Sequence, residues 1–215
     1  MEIKIGMNVL EANNLTATRN QEIFRENKVF VLNIMSSPGS GKTTLLEKTI
    51  EALKSELKIG VIEGDIYTDR DAERIKKHGI PVVQINTYGS CHLDARMVKE
   101  VLPLFNLKGL DLLIIENVGN LVCPAEFRLG EHARVAVLSV PEGDDKPVKY
   151  PVVFRESEVA LINKTDLLDY FDFNLERVTK EIKEINPEIK IFQISCKTLA
   201  GFQNWLEWLR KNVKN

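Results

Sequence analysis

The stretch SSPGSGKTT, Ser36 to Thr44, sets two glycines, a lysine and two threonines between an apolar run and an amphipathic one. A tight loop at such a junction aims several backbone N–H groups, and the positive end of the following helix, at one spot. Pro38, Gly39, Ser40 and Gly41 form the loop, and its glycines let the backbone approach a ligand closely. Lys42 adds a point charge for β- and γ-phosphates, and Thr43, with Thr44 beside it, offers a hydroxyl to Mg²⁺. The spacing is that of G-x-x-x-x-G-K followed by Ser or Thr, except that Ser36 stands at the first glycine position. The expectation is a nucleotide phosphate cradle.

A second group selects the base. In NKTD, Asn163 to Asp166, the carboxylate of Asp166 can accept from both N1–H and the exocyclic amine of guanine, a donor pair that adenine lacks. The stem of Lys164 can lie along the base while Asn163 braces the loops. Ser195, Cys196 and Lys197 resemble the S-A-K loop that supports guanine in GTPases, with Cys196 as small buried filler at the Ala position. The nucleotide is therefore expected to be GTP. Acids follow at other strand ends. Glu116-Asn117-Val118-Gly119 stands where Ras-like GTPases carry D-x-x-G, so Gly119 N–H is expected at the γ-phosphate. Thr43, Asp65, Asp69 and Glu116 form the candidate magnesium set, since Mg²⁺ prefers oxygen ligands. Lys42, Asp65 and Glu116 are the candidate catalytic residues. Asp69 and Asp71 equally suit first-turn acids of a helix. No glutamine occupies the water-orienting position, so intrinsic hydrolysis is expected to be slow.

A third group is soft. Cys91 and His92 are adjacent in SCHLDA, and Cys123 follows Gly119 by four residues. Thiolate and imidazole suit Zn²⁺ or Ni²⁺. The spacing alone leaves metal ligation and buried filler both open, because C-H…C is less specific than paired C-x-x-C. Both stretches are expected to leave the sheet edge that carries the phosphates. Cys91 is placed near a helix N-terminus, which favours the thiolate. Three ligands leave a fourth position for water, a substrate or a second chain. His78 reads as a helix-end residue and His132 as structural or solvated.

Seven short runs, apolar on both faces, must position these groups: Val29–Met35, Lys58–Gly64, Pro81–Asn86, Asp111–Asn117, Ala133–Val140, Glu158–Asn163 and Ile189–Ser195. Amphipathic runs alternate with them at Lys42–Leu57, Asp69–Gly79, Leu93–Leu102, Leu175–Ile185 and Gly201–Val213. Such alternation predicts a parallel sheet covered on both faces. Residues 8–27 read as a further, polar amphipathic helix ahead of the first strand.

The 215 residues suit one well-buried domain, and 44% hydrophobic with 28% charged residues is the composition of a globular chain. A net charge of −2 with mixed signs gives no field for nucleic acid. No apolar stretch is long enough for a membrane span, and the N-terminus lacks signal-peptide features, so a cytoplasmic location is expected. Three cysteines are too few for a disulfide framework.

SSPGSGKTTLLE, EGDIYTDRDAERI, GSCHLDARMV, ENVGNLVCPAEFRLGEH, SVPEGDDKPVKYP and NKTDLL closely resemble the hydrogenase nickel-incorporation GTPase family HypB, in order and over nearly the whole chain from about residue 8. The urease accessory GTPase UreG is similar in its core, but its Cys-Pro-His motif is absent here. The resemblance implies an α/β, three-layer P-loop NTPase of the dimerising GTPase type, with a mainly parallel sheet flanked by helices. Residues 1–27 would be a helical appendage and 28–215 the GTPase domain. It implies a homodimer when GTP is bound, Ni²⁺ or Zn²⁺ on Cys91, His92 and Cys123 near the dimer interface, and Lys146 and Lys149 as cross-subunit contacts. The implied role is nickel delivery during hydrogenase maturation, with a HypA-like accessory protein and the hydrogenase large-subunit precursor as partners. The alternative is a UreG-like chaperone for another metalloenzyme, with a purely structural Cys/His site. Some members carry an N-terminal C-x-x-C-G-C site or a histidine-rich tract. Neither is in this sequence, so high-affinity N-terminal nickel binding and nickel storage are not expected.

Overall fold

The computed structural model describes residues 8–66 and 70–214. Seven strands form one sheet: β1 (Phe30–Ser36), β2 (Ile59–Asp65), β3 (Val82–Asn86), β4 (Leu112–Glu116), β5 (Ala133–Ser139), β6 (Val159–Asn163) and β7 (Lys190–Gln193). Their order is β3-β2-β4-β1-β5-β6-β7, and every pairing is parallel. β1 is therefore central, with β4 on one side and β5 on the other. The chain builds to opposite sides of β1, and crevices for ligands open beyond the carboxyl ends of strands at such a switch point.

The helices are α1 (Val9–Asn27), α2 (Lys42–Leu53), α3 (Arg70–Lys76), α4 (Ala95–Val101), α5 (Cys123–Glu126), α6 (Lys146–Lys149), α7 (Pro151–Arg155), α8 (Leu175–Ile185) and α9 (Phe202–Val213). Alternate strand residues point to opposite faces. Leu32 and Ile34 of β1 thus pack with Leu45, Ile50 and Trp205 of α2 and α9. Val31 packs on the other face with Phe24 of α1 and Val98 of α4, and Met35 joins the cluster of Phe154, Val178 and Ile182 from α7 and α8. The expected three layers are present.

The strands lie where the apolar runs predict. Helix ends differ more. α2 stops at Leu53 rather than Leu57, though Leu57 stays buried in the same core cluster. α4 starts at Ala95 rather than Leu93, because Asp94 caps it by accepting from Met97 N at 2.7 Å. α1 buries two asparagines along with Ala17 and Phe24. Asn13 accepts from Ala95 N and donates to Arg128 O, both at 2.8 Å, while Asn20 donates to Ala95 O at 2.8 Å and Leu129 O at 2.9 Å. α1 therefore fastens α4 to the loop after α5. Among the described residues no helix is long and apolar enough to cross a membrane.

Candidate functional site

The loop between β1 and α2 opens onto a cavity of about 590 Å³, lined by residues that include Gly39, Lys42, Thr43, Glu63, Asp65 and Glu116. Gly41 sits at φ +95°, and a Cβ there would fall 2.7 Å from Asn163 Nδ2. That position needs glycine for its conformation and for its space. Ser36, the departure from the usual pattern, is fully buried. Its hydroxyl oxygen accepts from Lys42 Nζ at 3.0 Å and from Ser40 Oγ at 2.5 Å. The serine thus gives the cradle's lysine and serine an internal partner. Thr44 Oγ1 accepts from Arg74 Nη2 at 3.3 Å.

The base-side residues converge on the same loop. Asn163 donates from Nδ2 to Ser40 O at 3.0 Å, and its Oδ1 accepts from Lys164 N at 2.8 Å and Cys196 N at 3.2 Å. One buried amide therefore ties together the phosphate loop, NKTD and the loop after β7. Lys164 lies in the left-handed region and reaches Gly39 O with Nζ at 2.6 Å. Ser195 Oγ donates to Asp166 Oδ1 at 2.6 Å and accepts from Lys197 N at 3.2 Å. This fixes the carboxylate at the rim of the loop. Burial pushes the Cys196 thiol up to about 11, as suits neutral filler.

The acids gather under the phosphate loop. Thr43 Oγ1 donates to Glu116 Oε1 at 2.8 Å. Glu63, which the sequence reading passes over, stands beside Glu116 in register across β2 and β4. Carboxylate oxygens of Glu63, Asp65 and Asp71 lie within 4.8 Å of one another. Asp71 is also paired with Arg74 at 3.1 Å, so it is both a first-turn acid of α3 and a wall of the cavity. Asp69 lies outside the described residues. Burial, with the charge of Glu116 alongside, pushes the Glu63 carboxyl up to about 10. Burial pushes Glu116 up to about 7, against the pull of Lys42 and the Thr43 hydroxyl. Among the described residues, Glu63 Oε2 and Glu116 Oε2 are buried without a hydrogen-bond partner. Buried carboxyl oxygens beside a threonine hydroxyl are hard donors, and a Mg²⁺ ion carried in with phosphates would favour their ionised form. Gly119 lies against Pro38 of the loop: a Cβ there would be 3.2 Å from the Pro38 nitrogen.

The soft ligands also come together. Cys91 Sγ is 3.0 Å from Cys123 Sγ and 3.9 Å from His92 Nδ1, and the three donor atoms lie within 4.8 Å of one another. Two thiols and an imidazole are a donor set for Zn²⁺ or Ni²⁺. The helix-terminus expectation for Cys91 shifts, since α4 begins four residues later and is capped by Asp94; Cys123 instead opens a helix, α5. The Cys123 thiol is pushed up by its hydrogen bond with Cys91 and then by burial. Burial lowers His92, which keeps its imidazole neutral for ligation. Phe127 packs against His92 with ring centroids 3.9 Å apart and the rings tilted by 31°, and Asn120 donates to Cys91 O at 3.4 Å and accepts from Val122 N at 2.9 Å. Neither supporting residue is visible from ligand spacing. His132 is structural: its Nδ1 accepts from Val31 N at 3.0 Å.

The CobW/HypB/UreG nucleotide-binding domain matches residues 30–193, which carry the phosphate loop, NKTD and the Cys/His cluster. The hydrogenase maturation factor HypB of Escherichia coli K12 is 49% identical over 207 residues, spanning 96% of this chain and 71% of the relative. The chain belongs to the HypB branch of this family. The HypB crystal structure from Archaeoglobus fulgidus superposes with a TM-score of 0.89 at 42% identity, covering 94% of this chain and 98% of the other. HypB from Helicobacter pylori in complex with nickel gives 0.90 at 39% identity, covering 94% and 95%. The P-loop fold and the membership expected from the motifs therefore hold.

Proposed function

We propose that this chain is a GTP-hydrolysing metallochaperone that delivers nickel during nickel–iron hydrogenase maturation. One observation carries the proposal. The segment Glu116–Cys123 begins at the hydroxyl of Thr43, passes Gly119 against the phosphate loop, and ends at a thiol 3.0 Å from Cys91. A γ-phosphate that moves Gly119 therefore moves a metal ligand. Maturation factors of the same family, one of them solved with nickel, support the cargo.

In this proposal Lys42 and the loop amides hold the β- and γ-phosphates, and Asp166, fixed by Ser195, reads guanine. Thr43, Asp65 and Glu116 would hold Mg²⁺, which supplies charge neutralisation on the phosphates when bound. Contacts of the γ-phosphate with Gly119 order the segment, and hydrolysis releases it. Cys91, His92 and Cys123 bind nickel in one state more tightly than in the other. Coupling of this kind is reciprocal, so nickel also shifts nucleotide affinity.

The test is a Ni²⁺ titration of the protein with GDP and again with a non-hydrolysable GTP analogue. A different affinity or stoichiometry in the two states is expected, and Cys123→Ser should abolish the difference. Identical curves for the parent protein would overturn the switch and leave a GTPase chaperone with a structural Cys/His site.

A further inference from the structure

Cys123 is joined to the γ-phosphate segment by the chain itself, but Cys91 and His92 lie on another segment, after β3. We propose that Asn117 is the positioning residue that couples this second segment to the nucleotide; the inference rests on the nickel-switch function above. Glu116 and Asn117 are consecutive at the end of β4, so their side chains leave on opposite faces of the sheet. Glu116 turns toward α2 and meets Thr43. Asn117 turns the other way, is 1% exposed, and meets the backbone before α4.

Its single side-chain oxygen accepts twice: from Leu93 N at 3.1 Å and from Val118 N at 3.0 Å. Leu93 directly follows His92, and Val118 directly precedes Gly119. One oxygen therefore holds the backbone of the metal segment and the backbone of the γ-phosphate segment at once. The back of the amide is anchored: Nδ2 donates to Asn33 Oδ1 at 3.1 Å, Asn33 donates to Glu131 Oε1 at 3.1 Å, and Arg134 Nε donates to the same oxygen at 2.6 Å. Asn33 is fully buried and lies on the central strand, so the anchor has little slack. Asn120 also spans the two segments, but its bond to Cys91 O is longer, 3.4 Å, and only part-buried. When Val118 shifts with Gly119 toward a γ-phosphate, its N–H leaves or reorients on the shared oxygen, and the Leu93 bond changes with it. In a buried network such a change has two discrete settings rather than a gradual one.

The experiment compares the parent with Asn117→Leu, which keeps the shape without the hydrogen bonds, and Asn117→Ser, whose hydroxyl is too short to reach Leu93 N–H. For each, Ni²⁺ affinity is measured with GDP and with a non-hydrolysable GTP analogue, and nucleotide affinity is measured without metal. Amide hydrogen exchange at Leu93 is followed in both nucleotide states. The expected parent ratio of nickel affinities is at least about 5-fold, falling to within about 2-fold of unity in both variants, since no metal or phosphate ligand is removed. Leu93 exchange should respond to the nucleotide in the parent and not in the variants. A residue that only holds the fold would weaken both nickel affinities together and leave their ratio unchanged, and that result would overturn the proposal. Should Asn117→Leu fail to fold, the gentler Asn117→Ser decides. A parent ratio of one would sink the switch itself and this coupling with it, whereas a preserved ratio in Asn117→Ser would sink the coupling alone.

Discussion

Two carboxylates side by side in a parallel sheet are an unusual burden for a fold. Glu63 and Glu116 are each 2% exposed, and each keeps one oxygen with no partner among the described residues. Their carboxyl groups titrate above the ordinary value of 4.5, Glu116 at about 7 and Glu63 at about 10. The folded chain therefore holds these protons more tightly than the unfolded chain does. Below about pH 4.5 both states are protonated and the full stability is present. As pH rises, the unfolded chain ionises first, so stability is lost from about pH 4.5 through 7 and onward toward 10. Glu63→Gln removes one of the two titrations. It is expected to raise the melting temperature at pH 8, with a smaller gain at pH 5, and to weaken the stabilisation that added Mg²⁺ gives the parent at pH 8. A variant that melts like the parent at both pH values would mean that Glu63 carries no such burden. A signal for Glu63 was present in the sequence: it is the one charged residue inside the apolar run VIEG. Its partner was not legible, because pairing with Glu116 is set by the register of β2 on β4, two strands distant in the chain.

At the scale of elements, strands were the most legible part. Runs buried on both faces leave little freedom in where a strand begins or ends, and helix ends are decided by caps such as Asp94. Asn163 shows the same limit at the site: NKTD is plain in the sequence, but its amide bonds Ser40 across 123 positions of chain. The asparagines of α1 were the hardest to foresee. On a helical wheel Asn13 and Asn20 look solvated, yet both are buried, because the groups they meet are backbone polar groups of Ala95, Arg128 and Leu129 rather than apolar side chains. Asn20→Ala would leave two buried carbonyls without that donor. The expected cost is about 1–3 kcal/mol of unfolding free energy in urea, with the denaturant slope unchanged. A loss within about 0.5 kcal/mol, the range of an ordinary surface substitution, would show that the Asn20 bonds add little to what Asn13, Ala17 and Phe24 already hold.

For the molecule as a whole, the question is what closes the proposed metal site. Cys91, His92 and Cys123 supply three donors, and tetrahedral zinc or a nickel ion needs at least one more. Two large apolar residues close in sequence to those donors are exposed: Tyr88, three residues before Cys91, at 81%, and Val122, next to Cys123, at 50%. Lys146 and Lys149, the expected cross-subunit contacts, already have neighbours within the chain, Tyr150 and Asp145 respectively. The exposed apolar residues give a second handle on the dimer that the family resemblance implies. A two-fold contact made there would place the two metal segments face to face, since such an interface brings the same patch together from both copies. In sedimentation velocity the protein is expected to be monomeric with GDP and dimeric with a non-hydrolysable GTP analogue and Ni²⁺. Val122→Asp puts a charge into that contact and should weaken the dimer by about 10-fold or more, the equivalent of about 1.4 kcal/mol, without changing nucleotide affinity. Unaltered dimerisation in Val122→Asp would move the interface elsewhere on the surface, and the fourth ligand would then come from water or from the receiving protein.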